Sequence, residues 1–570
     1  MNKIYISIIL FLFAGVMFSC NEEEFLEVDP LGSTADIPVT PESAEALVIN
    51  AYGTLDARFD NLGFFEGFWP VDHGPDNWTF ADLRSGDAYK GGGGTGDNPE
   101  RIFDLESHNP TPLTDAVHNK WRALHLSVAT VNQAIRFLKQ IDEDEFPKKS
   151  VRIAEMRALR AHFYFDAMKN FGTFVYFDET VSQVEVSKIE NSFDEQFLWG
   201  KIEDDLKAAI VDLPEDNEDL GRFNKISATA YLAKAQLYQE KWPEVIQNTN
   251  VVINSGQYGL VSDIERLYSE PGYGNFENVF AVQFSIDDGS EFGNLNFGTL
   301  LNSPDSPGDD PNHPYTNGDD FNKPSQNLVN AYKVGADGLP LFDTYNDSDV
   351  TDSDLVDPRL DHTVGRPGIT WKDWTAQPQQ EDWSRDIGTY GFYVHKKNMI
   401  SPNSPLRSNP NGFPWALGAL DLPIIKFSDV LLWKAEASIE LGDLETARTL
   451  INQIRERAKN SPYVKDFDNP TEDAANYLIE LYPSNGWDAE TATKALRHER
   501  RLEFATEGQY YYDLVRWGVA EEEINKYLEE ERTKRSYLQT VSFNPTKSYL
   551  PVPQIEIDIT GGVLKQREGY

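Results

Sequence analysis

Between residues 150 and 170 the apolar positions Ala154, Ala158, Ala161, Phe165 and Met168 fall at alternating strides of four and three, which is one face of a helix. Ser150 stands where an N-cap belongs, and Gly172 where the helix should stop. The same stride returns over 226–239 through Ala228, Tyr231, Ala235 and Tyr238. A second helix over 242–254 opens with Pro243 in its first turn and ends at Gly256, so these two predict a helical hairpin. Further on, 429–441, the turn Gly442-Asp443 and 445–458 predict another, with small Ala435, Ala437, Ala447 and Ala458 at its contacts. An apolar face made of Trp121, Leu124, Val128, Val131 and Ile135 predicts a further helix from Val117. Helical hairpins are therefore expected near 117–140, 150–172, 226–256, 429–458 and 490–530.

Paired helices with small residues at the crossing, "AQLYQEKWPEV" and "AEASIELGDLETA", are similar to tetratricopeptide units, though scattered and not in a tandem array. Between them, 59–110 and 272–422 are dense in Gly, Pro, Asn and Asp, with one strand expected over 279–284. Long irregular stretches inside a folded chain usually carry binding surfaces. The fold class that follows is mainly α: a tetratricopeptide-like hairpin scaffold with a loop-rich insert region carrying a few short strands. No break in composition separates the parts, so 20–570 reads as a single domain behind a leader over 1–19.

Composition narrows the functional classes. A hydrophobic content of 40% supports a large core and excludes global disorder. Lys plus Arg number 51 against 93 Asp plus Glu, a net charge of -42, which excludes nucleic acid as a natural partner because phosphate binding needs clustered cations. The long apolar run at 4–18 is too short to cross a bilayer and sits where a signal peptide would. Lys3 precedes it and small Ser19 precedes Cys20, as expected for lipidation of Cys20 after cleavage. With Cys20 the one cysteine, there is no internal disulfide and no cysteine-based zinc site. Asn21, Glu22, Glu23 and Glu24 resemble the export signal that sends Bacteroidetes lipoproteins to the outer face of the outer membrane.

The blocks "RRLEFATEGQYYYDLVRWG", "IIKFSDVLLWKAEASIELGD", "DPRL", "AEMRALRAHFYFDAMKNFG" and "YLPVPQIEI" resemble the RagB/SusD family of Bacteroidetes surface lipoproteins. The resemblance implies a helical domain built around four tetratricopeptide-like hairpins plus a loop-rich region. It also implies a function without catalysis: capturing glycan outside the cell and delivering it to a SusC-like TonB-dependent transporter, over which the protein sits as a lid. The family's Arg-Tyr-Ala-Asp motif is here Lys426-Phe427-Ser428-Asp429. Arg500, Arg501, Glu503, Glu507, Asp513 and Arg516 alternate in charge over a helix and its turn, and are expected to form buried ion pairs.

Motifs for chemistry are weak. Gly91, Gly93 and Gly96 satisfy GxGxxG without a hydrophobic strand before them, and His498-Glu499 lacks the second histidine of a zincin, since Leu502 stands there. Paired carboxylates keep a surface glycoside hydrolase as the alternative, although 93 acids make no single pair informative. The run Asp343, Asp347, Asp349, Asp352, Asp354 and Asp357 offers oxygens for a structural calcium ion, against a plain solvated loop.

Aromatic rings stack on sugar C–H faces while neighbouring polar groups bind hydroxyls, so Trp in polar loops marks a glycan platform. Trp121, Trp199, Trp242, Trp433 and Trp517 belong to helical patterns and are expected in the core. Trp78 beside Asn77, the cluster Trp371, Trp374 and Trp383, and Trp415 are the expected glycan contacts, with Trp69 less clear and a hydrophobic plug as the bland alternative. Lys372, Arg385, Lys396 and Lys397 near the cluster leave room for a basic patch and hence for an anionic glycan. The strongly acidic chain favours a neutral glycan such as a β-glucan, with peptide cargo as an outside alternative.

Overall fold

The computed structural model describes residues 37–56, 74–217, 219–269, 276–286, 295–306, 310–315, 317–408 and 417–570. Cys20 and the leader, Trp69 and Trp415 lie outside these residues.

Eleven of the described helices build the scaffold: α1 (Pro41–Gly53), α2 (Asp115–Leu138), α3 (Lys149–Phe171), α4 (Glu195–Asp212), α5 (Lys225–Leu237), α6 (Trp242–Asn254), α7 (Phe427–Glu440), α8 (Leu444–Asn460), α9 (Ala489–Glu503), α10 (Tyr510–Arg516) and α11 (Ala520–Glu531). Their ends follow local chemistry. Asn224 caps α5 by accepting from the Ser227 N–H at 2.7 Å, and Asp443 and Asp488 cap α8 and α9 in the same way. Gly172 closes α3 in the left-handed region at φ 60, with its N–H on the Met168 carbonyl. Ser150 is not the cap expected of it: α3 starts one turn-position earlier at Lys149, and the Ser150 hydroxyl donates to Glu143.

Helices α2 with α3, α5 with α6 and α7 with α8 pack as hairpins, and α3 on α4, α4 on α5 and α6 on α7 join them into one layered solenoid. The hairpins expected near 117–140 and 150–172 are thus the two arms of one unit. Helix α4, foreshadowed in the sequence by Trp199 alone, buries Leu198, Trp199, Ile202, Leu206 and Ala209 against its neighbours. Ala158, Ala161, Ala228, Ala235, Ala435, Ala437 and Ala447 are fully buried at the crossings, where a small side chain lets backbones approach.

The loop-rich region is tied down by short antiparallel pairs. Strand β1 (Ala88–Gly91) pairs with β3 (Phe321–Pro324), β2 (Asn278–Val282) with β8 (Leu422–Lys426), β4 (Val364–Gly365) with β5 (Val394–His395), and β6 (Arg407–Ser408) with β7 (Leu417–Gly418). The strand expected over 279–284 is β2, and its partner β8 runs straight into α7, so this pair fastens the loops to the scaffold.

The charged block after α8 forms the expected buried ion pairs, with distant partners. Arg500 and Arg516 share Asp513, Arg516 also binds Glu436, and Arg501 binds Asp87. Arg359 joins Asp357 to Glu499, and Arg457 joins Glu503 to Glu277. The acidic run behaves otherwise. Asp343 faces Lys494, Asp349 accepts from Lys534, Asp354 accepts from Thr351, and Asp357 is consumed by Arg359. Among the described residues no three His, Cys, Asp or Glu are grouped to hold a metal ion, so the calcium expectation finds no site there. No described helix is long and apolar enough to cross a membrane.

Candidate ligand cleft

Most of the tryptophans expected to face a glycan are core. Trp371 is 0% and Trp383 1% exposed, with ring centroids 5.5 Å apart and edge-to-face. They form a separate small core with Tyr315, Val394, Met399, Ile400 and Leu420. The Trp371 indole N–H donates to the Tyr315 hydroxyl at 3.2 Å, and that hydroxyl donates to the Ile400 carbonyl at 2.6 Å. Trp78, 1% exposed, donates its indole N–H to the Gly298 carbonyl at 2.9 Å. These rings correct the platform expectation, and the reason is physical: an irregular segment still needs apolar mass to hold it, and the indole N–H groups of Trp371 and Trp78 find oxygens inside. Trp374 is half-buried and donates to the Asn312 carbonyl at 2.7 Å.

The basic patch also dissolves. The Lys396 ammonium is buried on the carbonyls of Asp361 and Thr370, Lys397 pairs with Glu507, and Lys372 donates to the Lys397 carbonyl. Only Arg385 of the four is exposed, and it faces Asp97 and Asp319.

What the structure does assemble is an open cleft between the solenoid and the loops, whose roughly 840 Å³ of space free of protein atoms includes the solvent at its mouth. Helix α3 contributes His162, Asp166 and Lys169, which the four-then-three stride puts on one face, and α5 contributes Tyr231 and Lys234. The opposite wall is loop: Asp76, Asn77, Asn296, Asp421 and the turn at Glu507, Gly508 and Gln509. Of these, the sequence reading singled out Asn77 as a ligand contact. For His162, Asp166 and Lys169 the available signal was their common stride on one face of α3.

Electrostatics in the cleft are graded. Burial works to raise the Asp166 carboxyl, but Lys120 at 2.6 Å and Lys169 at 2.8 Å outweigh it and hold it well below the usual carboxylate range. Glu507 is likewise held low against burial by Lys397 and Lys426. Burial pushes Lys234 down to about 8, where its ammonium donates to the Ile424 carbonyl at 3.2 Å, and pushes His162 down to about 3 beside the Tyr231 hydroxyl. Burial raises Asp76 to about 6. The Asp76 Oδ2 and Asn77 Oδ1 atoms are buried without a hydrogen-bond partner among the described residues.

The weak motifs resolve structurally. The GxGxxG turn follows β1, but β1 pairs antiparallel, and the Lys90 ammonium fills the loop by donating to the carbonyls of Gly91, Gly94 and Asp97. A phosphate cradle needs inward N–H groups, and here carbonyls converge. Glu499 of the partial zincin motif is spent on Arg359 and Arg455.

The SusD family model matches residues 276–570, more than half of the chain. The chain belongs to the SusD family. SusD-like protein P38 of Formosa agariphila is 23% identical over 533 residues, covering 91% of this chain and 92% of that protein. A SusD superfamily protein from Bacteroides vulgatus superposes with a TM-score of 0.67 at 21% identity, over 93% of this chain and 99% of that one. Surface glycan-binding protein A from Bacteroides thetaiotaomicron, solved in complex with laminarihexaose, gives 0.65 at 20% identity, over 93% and 99%. These likenesses establish a common fold. Within this SusD-family chain the cleft straddles the matched boundary: Asp76, Asn77 and the walls from α3 and α5 precede residue 276, while Asn296, Asp421 and the 507–509 turn follow it.

Proposed function

We propose that this SusD-family chain captures a polysaccharide or oligosaccharide at the cell surface and delivers it to a SusC-like TonB-dependent transporter, without catalysing its breakdown. The observation that carries the reading is the mixed polarity of the cleft: unpartnered acceptors on Asp76 and Asn77 share it with the ammonium of Lys234. A sugar hydroxyl donates and accepts at once, so vicinal hydroxyls serve such a wall where a purely anionic or cationic ligand serves half of it. The laminarihexaose complex of the Bacteroides thetaiotaomicron protein supports the same ligand class. A neutral chain such as a β-glucan is favoured because Lys372, Lys396 and Lys397 are spent internally and the net charge of -42 repels a polyanion. Trp374 and Trp415 keep the stacking role in this proposal, while Trp78, Trp371 and Trp383 serve as framework. A lipid on Cys20 supplies attachment to the outer membrane alone, and uptake then requires a channel partner.

A glycan array on purified protein tests the reading. Binding to neutral β-glucans is expected; preference for uronic or sulfated chains overturns the neutral choice, and silence across the array overturns glycan capture. Homogeneous protein should release no new reducing ends from the same polysaccharides. Cys20→Ala should move the protein out of the membrane fraction, and affinity purification from native membranes should recover a TonB-dependent transporter; the opposite results remove the anchor and the delivery role respectively.

A further inference from the structure

We infer that Asp76 and Asn77 form a hydroxyl-reading pair in the cleft, and that the pair holds a sugar through the ionised carboxylate of Asp76. The inference rests on the glycan reading and adds to it a named contact and a pH dependence. Three independent features single out this dipeptide. Both side chains line the cleft, and each carries a buried acceptor, Asp76 Oδ2 and Asn77 Oδ1, with no partner among the described residues. An unsatisfied buried acceptor costs stability unless something supplies the donor. Asn77 also holds a left-handed backbone at φ 54, a strained state for a residue with a side chain.

The surroundings impose this geometry from both sides. A Cβ at Gly508, itself at φ 66, would lie 1.8 Å from the Asp76 carbonyl oxygen, and one at Gly298 would lie 2.5 Å from Asp76 Oδ2. Two glycines on distant loops thus make room for the dipeptide, and Trp78 next in sequence is pinned to the Gly298 carbonyl. The Asn77 amide is occupied on the Pro75 carbonyl at 3.0 Å, which leaves its oxygen as the free function. A hydroxyl donating to a carboxylate makes a shorter and stronger bond than one donating to a neutral acid.

The charged groups around Asp76 are Lys120 on α2, His162, Asp166 and Lys169 on α3, Lys234 on α5, Asp82 in the following short helix, Asp421 just before β8, and Glu507 in the turn after α9. His162 is pushed to about 3 and Asp166 and Glu507 are held low, so none of these three changes charge near neutrality. Burial moves Asp76 to about 6 and carries Asp82 upward as well, so a substitution at Asp76 is needed to assign the transition. Ligand donation to the carboxylate favours the ionised form. Through this carboxylate affinity falls as pH drops through about 6, by up to tenfold per pH unit until the bound state also takes up its proton, while Lys234, pushed to about 8, adds a separate change above neutrality.

The test is calorimetric titration of the full chain with laminarihexaose, cellohexaose and mannohexaose between pH 5 and 7.5, with thermal melts of every variant. The expected result is wild-type affinity that drops severalfold, up to about tenfold, from pH 7 to 5, an Asp76→Asn variant severalfold weaker at pH 7 with a flat profile, and an Asn77→Ala variant that is weaker but keeps the slope. A flat wild-type profile overturns the inference even if no variant folds. Equal binding by Asp76→Asn with an unchanged melt overturns it while the glycan reading stands. Absence of wild-type binding to all three oligosaccharides, joined to a silent glycan array, overturns both.

Discussion

Trp121 and Trp433 of the hairpins and Trp371 and Trp383 of the loop region are buried to the same degree, 1% exposed or less, although their sequence surroundings have nothing in common. The first two repeat at helical spacing among apolar residues. The second two stand in "TWKDWTAQPQQEDWSRD", where polar neighbours dominate. A helix buries one stripe against an adjacent helix, so its neighbours in sequence predict its neighbours in space. An irregular loop buries whatever side chains can be brought over one another, and Tyr315, the Trp371 and Trp383 stretch, and Leu420 come from three separate places in the chain to make a core of their own. Polar composition around a ring therefore reports exposure of the neighbours and says little about the ring.

The comparison is broken most directly by truncating a loop ring. Trp371→Ala should cost about 3–5 kcal/mol, the range for a large buried aromatic, and show as a lower denaturation midpoint. A melt unchanged by this substitution would return Trp371 to the surface. Glu499→Ala tests the scaffold side, because it takes the carboxylate from buried Arg455 while Arg359 keeps Asp357; about 3 kcal/mol of destabilisation is expected on chemical denaturation, since breaking a buried pair leaves an uncompensated charge.

Two smaller effects depend on pH with opposite signs. Glu503 is held down to about 2, against burial, by Arg457, Lys426 and Arg359. Its contribution is present above the unfolded value near 4.5 and is lost as pH falls toward 2, so Glu503→Gln should flatten the acid limb of the melting profile. Burial raises Glu106 in the loop-bound β1 region to about 7, against the Tyr537 and Lys90 hydrogen bonds. There the folded state keeps a proton that the unfolded state loses, so stability falls as pH climbs from about 4.5 to 7, and Glu106→Gln should remove that slope. The smallest expected change is Trp374→Ala. This half-buried ring with one hydrogen bond to a backbone carbonyl should cost about 1 kcal/mol or less, while weakening retardation in laminarin affinity gels.

The amino-acid sequence by itself determined helices α2 and α3 and the hairpins α5 with α6 and α7 with α8, because a 3.6-residue period and its caps are local properties of the chain, while the pairing of α2 with α3 came from packing. It also marked the Arg500 to Arg516 block as buried ion pairs, since a segment with charges of both signs carries some of its own partners inside, as Asp513 does for Arg500 and Arg516. Tertiary structure alone decided the partners, Asp87 for Arg501 and Glu277 for Arg457, and it alone decided which tryptophans see solvent. The cleft belongs to the same class: its walls come from 75–77, α3, α5, 420–424 and 507–509. Contacts between segments hundreds of residues apart leave no period in the sequence, because their geometry is fixed by packing and not by spacing along the chain.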